Sequence, residues 1–193
     1  MTAEAVSTPG GPTARRAPSR GATVVVAGTA GGVGTTTVAA LLVRALAERG
    51  APVGASNHTL GGLGSRIVPG DLGDRPAPLD VHDLGPHALT ATELLLSETT
   101  VPVIVTRASS AGARAALRAL ERLAPDAALV VASTSPRRRP DACLDAVLSQ
   151  RPGTSAIALP YDDALALPGS LRPEGFAPST RDAVRRLGDL LGD

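Results

Sequence analysis

Lysine is absent from this chain: all 19 basic residues are arginine. Any role that a lysine ammonium plays elsewhere must here fall to arginine or be lost. Aromatics are almost as scarce, with one Phe, one Tyr and no Trp. That argues against a platform on which nucleic-acid bases stack, and it makes the core aliphatic. The single Cys143 rules out an internal disulfide and a cysteine metal cluster. It reads as a small buried residue on a helix. Long hydrophobic runs are missing too. Without an apolar stretch of about 18 residues no membrane-spanning helix is expected, and without the apolar core of a signal peptide the expected location is the cytoplasm. A net charge of +1 favours neither nucleic acid nor an anionic membrane surface.

What remains is a chain of 193 residues with 43% apolar content, enough for one domain with a sizeable core. Residues 1–21 are rich in Ala, Ser, Thr, Pro, Gly and Arg without periodicity and read as a disordered tail carrying Arg15, Arg16 and Arg20. Residues 22–193 read as the single domain.

Within that domain, short apolar runs alternate with helical patterns. Strands are predicted at 23–27, 52–56, 79–84, 101–106, 127–133 and 155–159. Helices are predicted at 35–49, 88–98, 111–123, 141–149 and 180–191, the last capped by Ser179 or Thr180. Residues 61–78 read as loop with one helical turn near Leu63–Ile67. The alternation predicts an α/β fold: three layers, α/β/α, around a mostly parallel sheet. Such sheets bind ligands at the carboxyl ends of their strands.

The loop after the first strand is the informative segment: Gly28-Thr29-Ala30-Gly31-Gly32-Val33-Gly34-Thr35-Thr36-Thr37. A glycine-rich turn between a strand and a helix can aim backbone N–H groups at an anion, and the helix N-terminus adds partial positive charge. Thr36 stands where a phosphate-loop hydroxyl would ligate Mg²⁺.

The stretch resembles the deviant Walker A motif of the ParA/MinD family of P-loop ATPases, Lys-Gly-Gly-x-Gly-Lys-Thr-Thr. Gly31, Gly32, Val33, Gly34, Thr36 and Thr37 match. Ala30 occupies the position of the family's signature lysine and Thr35 that of the P-loop lysine. The lysine-less loop is similar to those of small actinobacterial members. Three further segments carry the likeness. Ser56-Asn57-His58 follows the second strand, where the family places an Asp that helps activate water, so Asn57 is the weak catalytic candidate. Asp83-Leu84-Gly85-Pro86 lies at the Walker B Asp and switch loop. Ala158-Leu159-Pro160-Tyr161-Asp162 resembles the late strand and turn before a closing helix. The resemblance covers the chain from about residue 22 onward and implies a P-loop fold, a phosphate cradle from Gly31 to Thr37, and Mg²⁺ near Thr36 and Asp83.

Both lysines of the motif are missing, and the loss has a magnitude. A charge-assisted hydrogen bond to phosphate is worth about 1.5–3 kcal/mol, so its loss weakens nucleotide binding by roughly 10- to 150-fold. A charge reaching the phosphates from across a dimer is worth about 10³–10⁵ in rate. The expectation is weak ATP binding with Mg²⁺ and little or no hydrolysis, with Arg107, Arg114 or Arg137–Arg139 as candidate replacement charges acting in trans. The corresponding role is a positioning or partitioning accessory factor, working through a protein partner or as a homo- or heterodimer. The other reading, of a different class, is a pseudo-ATPase that binds no nucleotide and acts only through a partner protein.

Other candidates point less clearly. His58, His82 and His87 lack the spacing of a zinc site. Arg137–Arg139 could contact nucleotide or, nonspecifically and weakly, DNA; a solvated loop is the plainer reading. The terminal helix mixes Arg181, Arg185 and Arg186 with acidic residues and reads as closing the domain, so stable membrane insertion is not expected.

Overall fold

The computed structural model describes residues 22–59, 62–73, 77–123 and 127–191. The segment expected to be disordered, residues 1–21, lies outside them. The strands are β1 (Ala22–Gly28), β2 (Val53–Asn57), β3 (Leu79–Asp83), β4 (Thr100–Arg107), β5 (Ala128–Ala132) and β6 (Ala156–Leu159). The helices are α1 (Thr35–Ala47), α2 (Leu63–Arg66), α3 (Thr92–Leu95), α4 (Ser110–Arg122), α5 (Pro140–Leu148), α6 (Asp163–Ala166) and α7 (Pro178–Asp189).

All six strands run parallel in the order β2-β3-β1-β4-β5-β6. The centre of the sheet explains the sequence pattern of its strands. Val24, Val25, Val26 and Ala27 of β1 are completely buried because both faces of the strand are covered. Alternation sends Val24 and Val26 to one core with α1 and α7, and Val25 and Ala27 to the other with α4 and α5. Val103 and Val105 of β4 divide from Ile104 in the same way. A strand buried on both faces needs a continuous apolar run rather than alternation, and each such Val contributes about 1.5–3 kcal/mol relative to exposure.

α1 lies between the sheet and α7, which is why Val38 through Val43 are buried on every side. Gly50, at φ +75°, ends the chain's run out of this helix. Arg49 then fastens α7 down: its guanidinium donates to the Gly188 carbonyl at 2.8 Å and pairs with Asp189. Arg44, on the same helix, reaches Asp71 at 2.9 Å and so holds the single helical turn Pro69–Asp71 against α1.

Two sequence expectations are corrected. The helix expected over 88–98 is reduced to Thr92–Leu95. The Ala88 amide is drawn to the Gly28 carbonyl at 3.1 Å, and the Thr90 and Ala91 amides both turn back to the His87 carbonyl. These bonds close one turn on His87, and it is not continued into a regular helix before Thr92. α7 is not capped by Ser179 or Thr180. It begins at Pro178, with Ala177 in the capping position. Proline suits the first helical position, where its missing N–H costs nothing. The Ala177 amide is instead taken by the Asp162 carboxylate at 2.8 Å.

The sheet topology positions the site. From β1 the chain goes to β2 and β3 on one side, and then to β4, β5 and β6 on the other. The carboxyl end of β1 is therefore the switch point of the sheet, where a ligand crevice opens.

Candidate nucleotide-phosphate site

β1 delivers Gly28 to that crevice, and this position tolerates nothing larger. A Cβ there would lie 2.3 Å from Thr35 Oγ1 and 2.8 Å from Val33 Cγ2. The loop curls back so tightly that Thr35, the residue at the P-loop lysine position, sits directly over Gly28. Neighbouring strands anchor the base of the loop. Gly28 N donates to Gly85 O at 2.7 Å, Thr29 N donates to Val105 O at 2.9 Å, and the Thr29 and Thr106 hydroxyls are 2.9 Å apart.

Above this base, residues 30–32 are exposed. Gly32 and Gly34 adopt φ +67° and +94°, left-handed values that only glycine takes without strain. Gly34 is the N-cap of α1 and brings no side-chain cap. Among the described residues, the amides of residues 30–37 donate to no acceptor. A curl of free N–H groups at the start of a 13-residue helix can receive an anion.

The metal candidates meet beside it. Thr36 Oγ1 donates to Asp83 Oδ2 at 2.7 Å, and the other oxygen of Asp83 accepts from Gly85 N at 2.9 Å. Asp83 is fully buried. It is held at the end of β3 by pairing to Val26 and Asn57 on either side. The Thr36 hydroxyl borders a cavity of about 350 Å³, with the Asp83 carboxylate one hydrogen bond behind it; an oxygen so placed suits Mg²⁺, which prefers one or two protein oxygens and keeps several waters. That cavity is lined by the loop together with Thr59, Gly85 and Pro86.

Asn57 ends β2 level with Asp83, but Thr59 is the residue that lines the cavity. The Asn57 side-chain oxygen accepts from the Thr59 amide and hydroxyl at 3.1 and 3.0 Å. This local turn presses Thr59 onto Gly85, where a Cβ would come within 2.5 Å of the Thr59 methyl.

A second, mostly apolar cavity of about 170 Å³ adjoins the loop, between Val33, Thr37, Ala132, Leu159, Tyr161 and Leu165. Tyr161 also borders a larger cavity of about 430 Å³, with Arg138, Arg139 and Pro160. The Tyr161 hydroxyl donates to Asp163 at 2.8 Å, and that carboxylate raises the phenol's pKa above its ordinary value. Sequence reasoning connected neither Thr59 nor Leu165 with the site, because each reaches it from a loop or short helix distant in the chain.

Arg66 is a third residue that sequence reasoning missed. Its guanidinium donates to Thr37 Oγ1 at 3.1 Å and to the carbonyls of Leu165 and Leu167. Burial lowers its pKa. It ties the loop helix to the segment after β6, and nothing in a Gly- and Pro-rich stretch marked it out.

The histidines fall into pairs away from the cradle. His58 Nε2 and His82 Nδ1 are 2.9 Å apart with stacked rings, and His82 Nε2 meets Asp80 at 3.2 Å. His87 lies 3.2 Å from the Thr90 hydroxyl. Among the described residues no group of three or more His, Cys, Asp or Glu could hold a metal ion. Cys143 is buried on α5, its thiol donating to the Arg107 carbonyl at 3.7 Å, and burial raises its pKa. Arg114 and Arg137–Arg139 are exposed.

No family model matches the chain, and no curated protein sequence matches it significantly. Solved structures do. The crystal structure of a ParA family ATPase from Chlorobium tepidum TLS superimposes with a TM-score of 0.54 at 14% identity, over 89% of this chain and 93% of that one. The cell division ATPase MinD of Pyrococcus furiosus superimposes with a TM-score of 0.57 at 15% identity, over 89% of this chain and 98% of that one. At such identity the likeness is one of fold: a parallel six-stranded sheet flanked by helices, as in the ParA and MinD P-loop structures.

Proposed function

We propose that this protein is a ParA/MinD-like nucleotide-binding factor. It holds ATP with Mg²⁺ weakly, hydrolyses it little or not at all, and serves in the cytoplasm as a positioning or partitioning accessory factor through a protein partner or a dimer. One observation carries the reading: eight consecutive positions, 30–37, present amides without acceptors among the described residues, at the N-terminus of α1 and beside the Thr36–Asp83 oxygen pair. In this reading Gly31–Thr37 hold the phosphates, and Thr36 with Asp83 hold Mg²⁺, which would neutralise phosphate charge. The low affinity and slow chemistry follow from Ala30 and Thr35, which carry no charge where the resembled motif has lysines.

Against a role in the membrane stand two facts. No described helix is long and apolar enough to cross one. The apolar face of α7 (Ala183, Val184 and Leu187) is already spent on the core beside α1.

Calorimetric titration of the full chain with ATP and Mg²⁺ tests the proposal, with Gly34→Asp as control. The aspartate puts a Cβ at φ +94° and a carboxylate at the cradle. Saturable heat in the natural protein, abolished in the variant, is the expected result. Absence of binding up to millimolar ATP leaves the pseudo-ATPase reading, a fold that works only through its partner.

A further inference from the structure

The cradle lacks its lysines, yet one arginine lies over it. Arg107 is the last residue of β4, and its Nη2 is 3.6 Å from where a Cβ of Gly32 would be. Its backbone is fixed from three sides. The preceding Thr106 hydroxyl contacts Thr29 and donates to the Gly112 carbonyl at 2.9 Å. Gly112 passes so close that a Cβ there would be 2.0 Å from the Arg107 carbonyl oxygen. The same carbonyl accepts from the Cys143 thiol.

The side chain, by contrast, makes no hydrogen bond or ion pair among the described residues. Its Nε is buried without a hydrogen-bond partner, and among the described residues its guanidinium meets no carboxylate within ion-pair distance. The other arginines near the core are engaged: Arg44 and Arg49 with carboxylates, Arg66 with carbonyls and Thr37. A buried N–H left unpaired is destabilising, and Arg107 is only half-buried, so its outer nitrogens are open to an incoming group.

We propose that Arg107 is the cation of the phosphate cradle, supplied in cis from β4, and that it binds the phosphate chain of the nucleotide. The inference rests on the reading of residues 30–37 as a phosphate cradle. It goes beyond that reading in replacing the missing lysine charge with a specific residue of the same chain, rather than with an arginine from across a dimer. The guanidinium fork suits this task, because it presents parallel donors to two phosphate oxygens at once.

The test is calorimetry on the full chain with two probes, inorganic tripolyphosphate with Mg²⁺ and ATP with Mg²⁺. The variants are Arg107→Ala, Arg107→Gln and Arg107→Lys, with Arg118→Ala on the exposed face of α4 as control. Loss of one charge-assisted bond predicts that Arg107→Ala and Arg107→Gln weaken both probes by about 10- to 150-fold. Arg107→Lys should recover part of the affinity, and Arg118→Ala should change nothing. Melting temperatures separate this from misfolding, and Arg107→Gln keeps the packing of the side-chain stem if the alanine variant proves unstable. Undiminished binding by the folded Ala or Gln variant, with Gly34→Asp still abolishing it, overturns the role of Arg107 and leaves the cradle standing. Absence of binding of either probe to the natural protein overturns both.

Discussion

Gly28 and Thr36 show how much of the site is decided by single atoms. At Gly28 the loop returns so closely that a methyl group has no room beside Thr35 and Val33. Gly28→Ala should therefore destabilise the fold by about 1–3 kcal/mol through overpacking, measured by denaturant unfolding, and should distort the cradle. At Thr36 the hydroxyl is the point. Thr36→Val keeps the shape but leaves Asp83 Oδ2 without its 2.7 Å donor. The expected cost is about 1–3 kcal/mol, and ATP affinity should no longer respond to Mg²⁺. A variant whose affinity still rises with Mg²⁺ as in the natural protein would remove Thr36 from the metal site. Much at this scale was legible beforehand, because glycines at 28, 32 and 34 between a strand and a helix have few other uses. Arg107 was legible only as one arginine among several. The 3.6 Å approach to Gly32 depends on β4 lying next to β1, which no local pattern states.

The elements were read best where burial is most complete. β1, β4 and β5 lie in the interior of the sheet, and their apolar runs are unmistakable. β3 is also paired on both sides, but its second face is only half-buried, so it can carry Asp80 and His82, which meet Ser56 and His58 there. Helix ends were less legible. Ala88–Glu98 has helical composition, but its first residues form a single turn on His87, tied to the loop through Ala88 and Gly28, and only Thr92–Leu95 is helix. The start of α7 was misplaced for a similar reason: its capping acceptor is Asp162, 15 residues upstream of Ala177.

Asp162 joins two elements, capping α6 through the Ala164 amide at 2.9 Å and receiving α7 through Ala177. Burial alone would raise its pKa, but the hydrogen bonds from these two amides, with the Thr180 side chain close by, outweigh it and hold the carboxyl below its ordinary value. A folded pKa below the unfolded value of about 3.9 means that the contribution is complete above about pH 5 and is lost as pH falls through the folded pKa. Asp162→Asn should be less stable than the natural protein at neutral pH, and the gap should close below about pH 4. A gap independent of pH would show that the ionised carboxylate is not what holds α7.

At the scale of the whole molecule, a doubly wound sheet places its switch point at the end of β1, and the loop there carries free backbone amides and no lysine. The three-layer architecture was legible from the alternation of short apolar runs with helical patterns. The cavities were not, since Thr59, Tyr161 and Leu165 converge only when β2, β6 and α1 are assembled. The proposed function requires the backbone amides of residues 30–37 to receive phosphate. The most direct measurement is the amide ¹⁵N–¹H spectrum of the labelled chain during titration with ATP and Mg²⁺. Saturable shifts concentrated at Gly31, Gly32, Gly34 and Thr36, and reproduced by tripolyphosphate, are the result expected. A spectrum in which these amides stay still at millimolar nucleotide would contradict it.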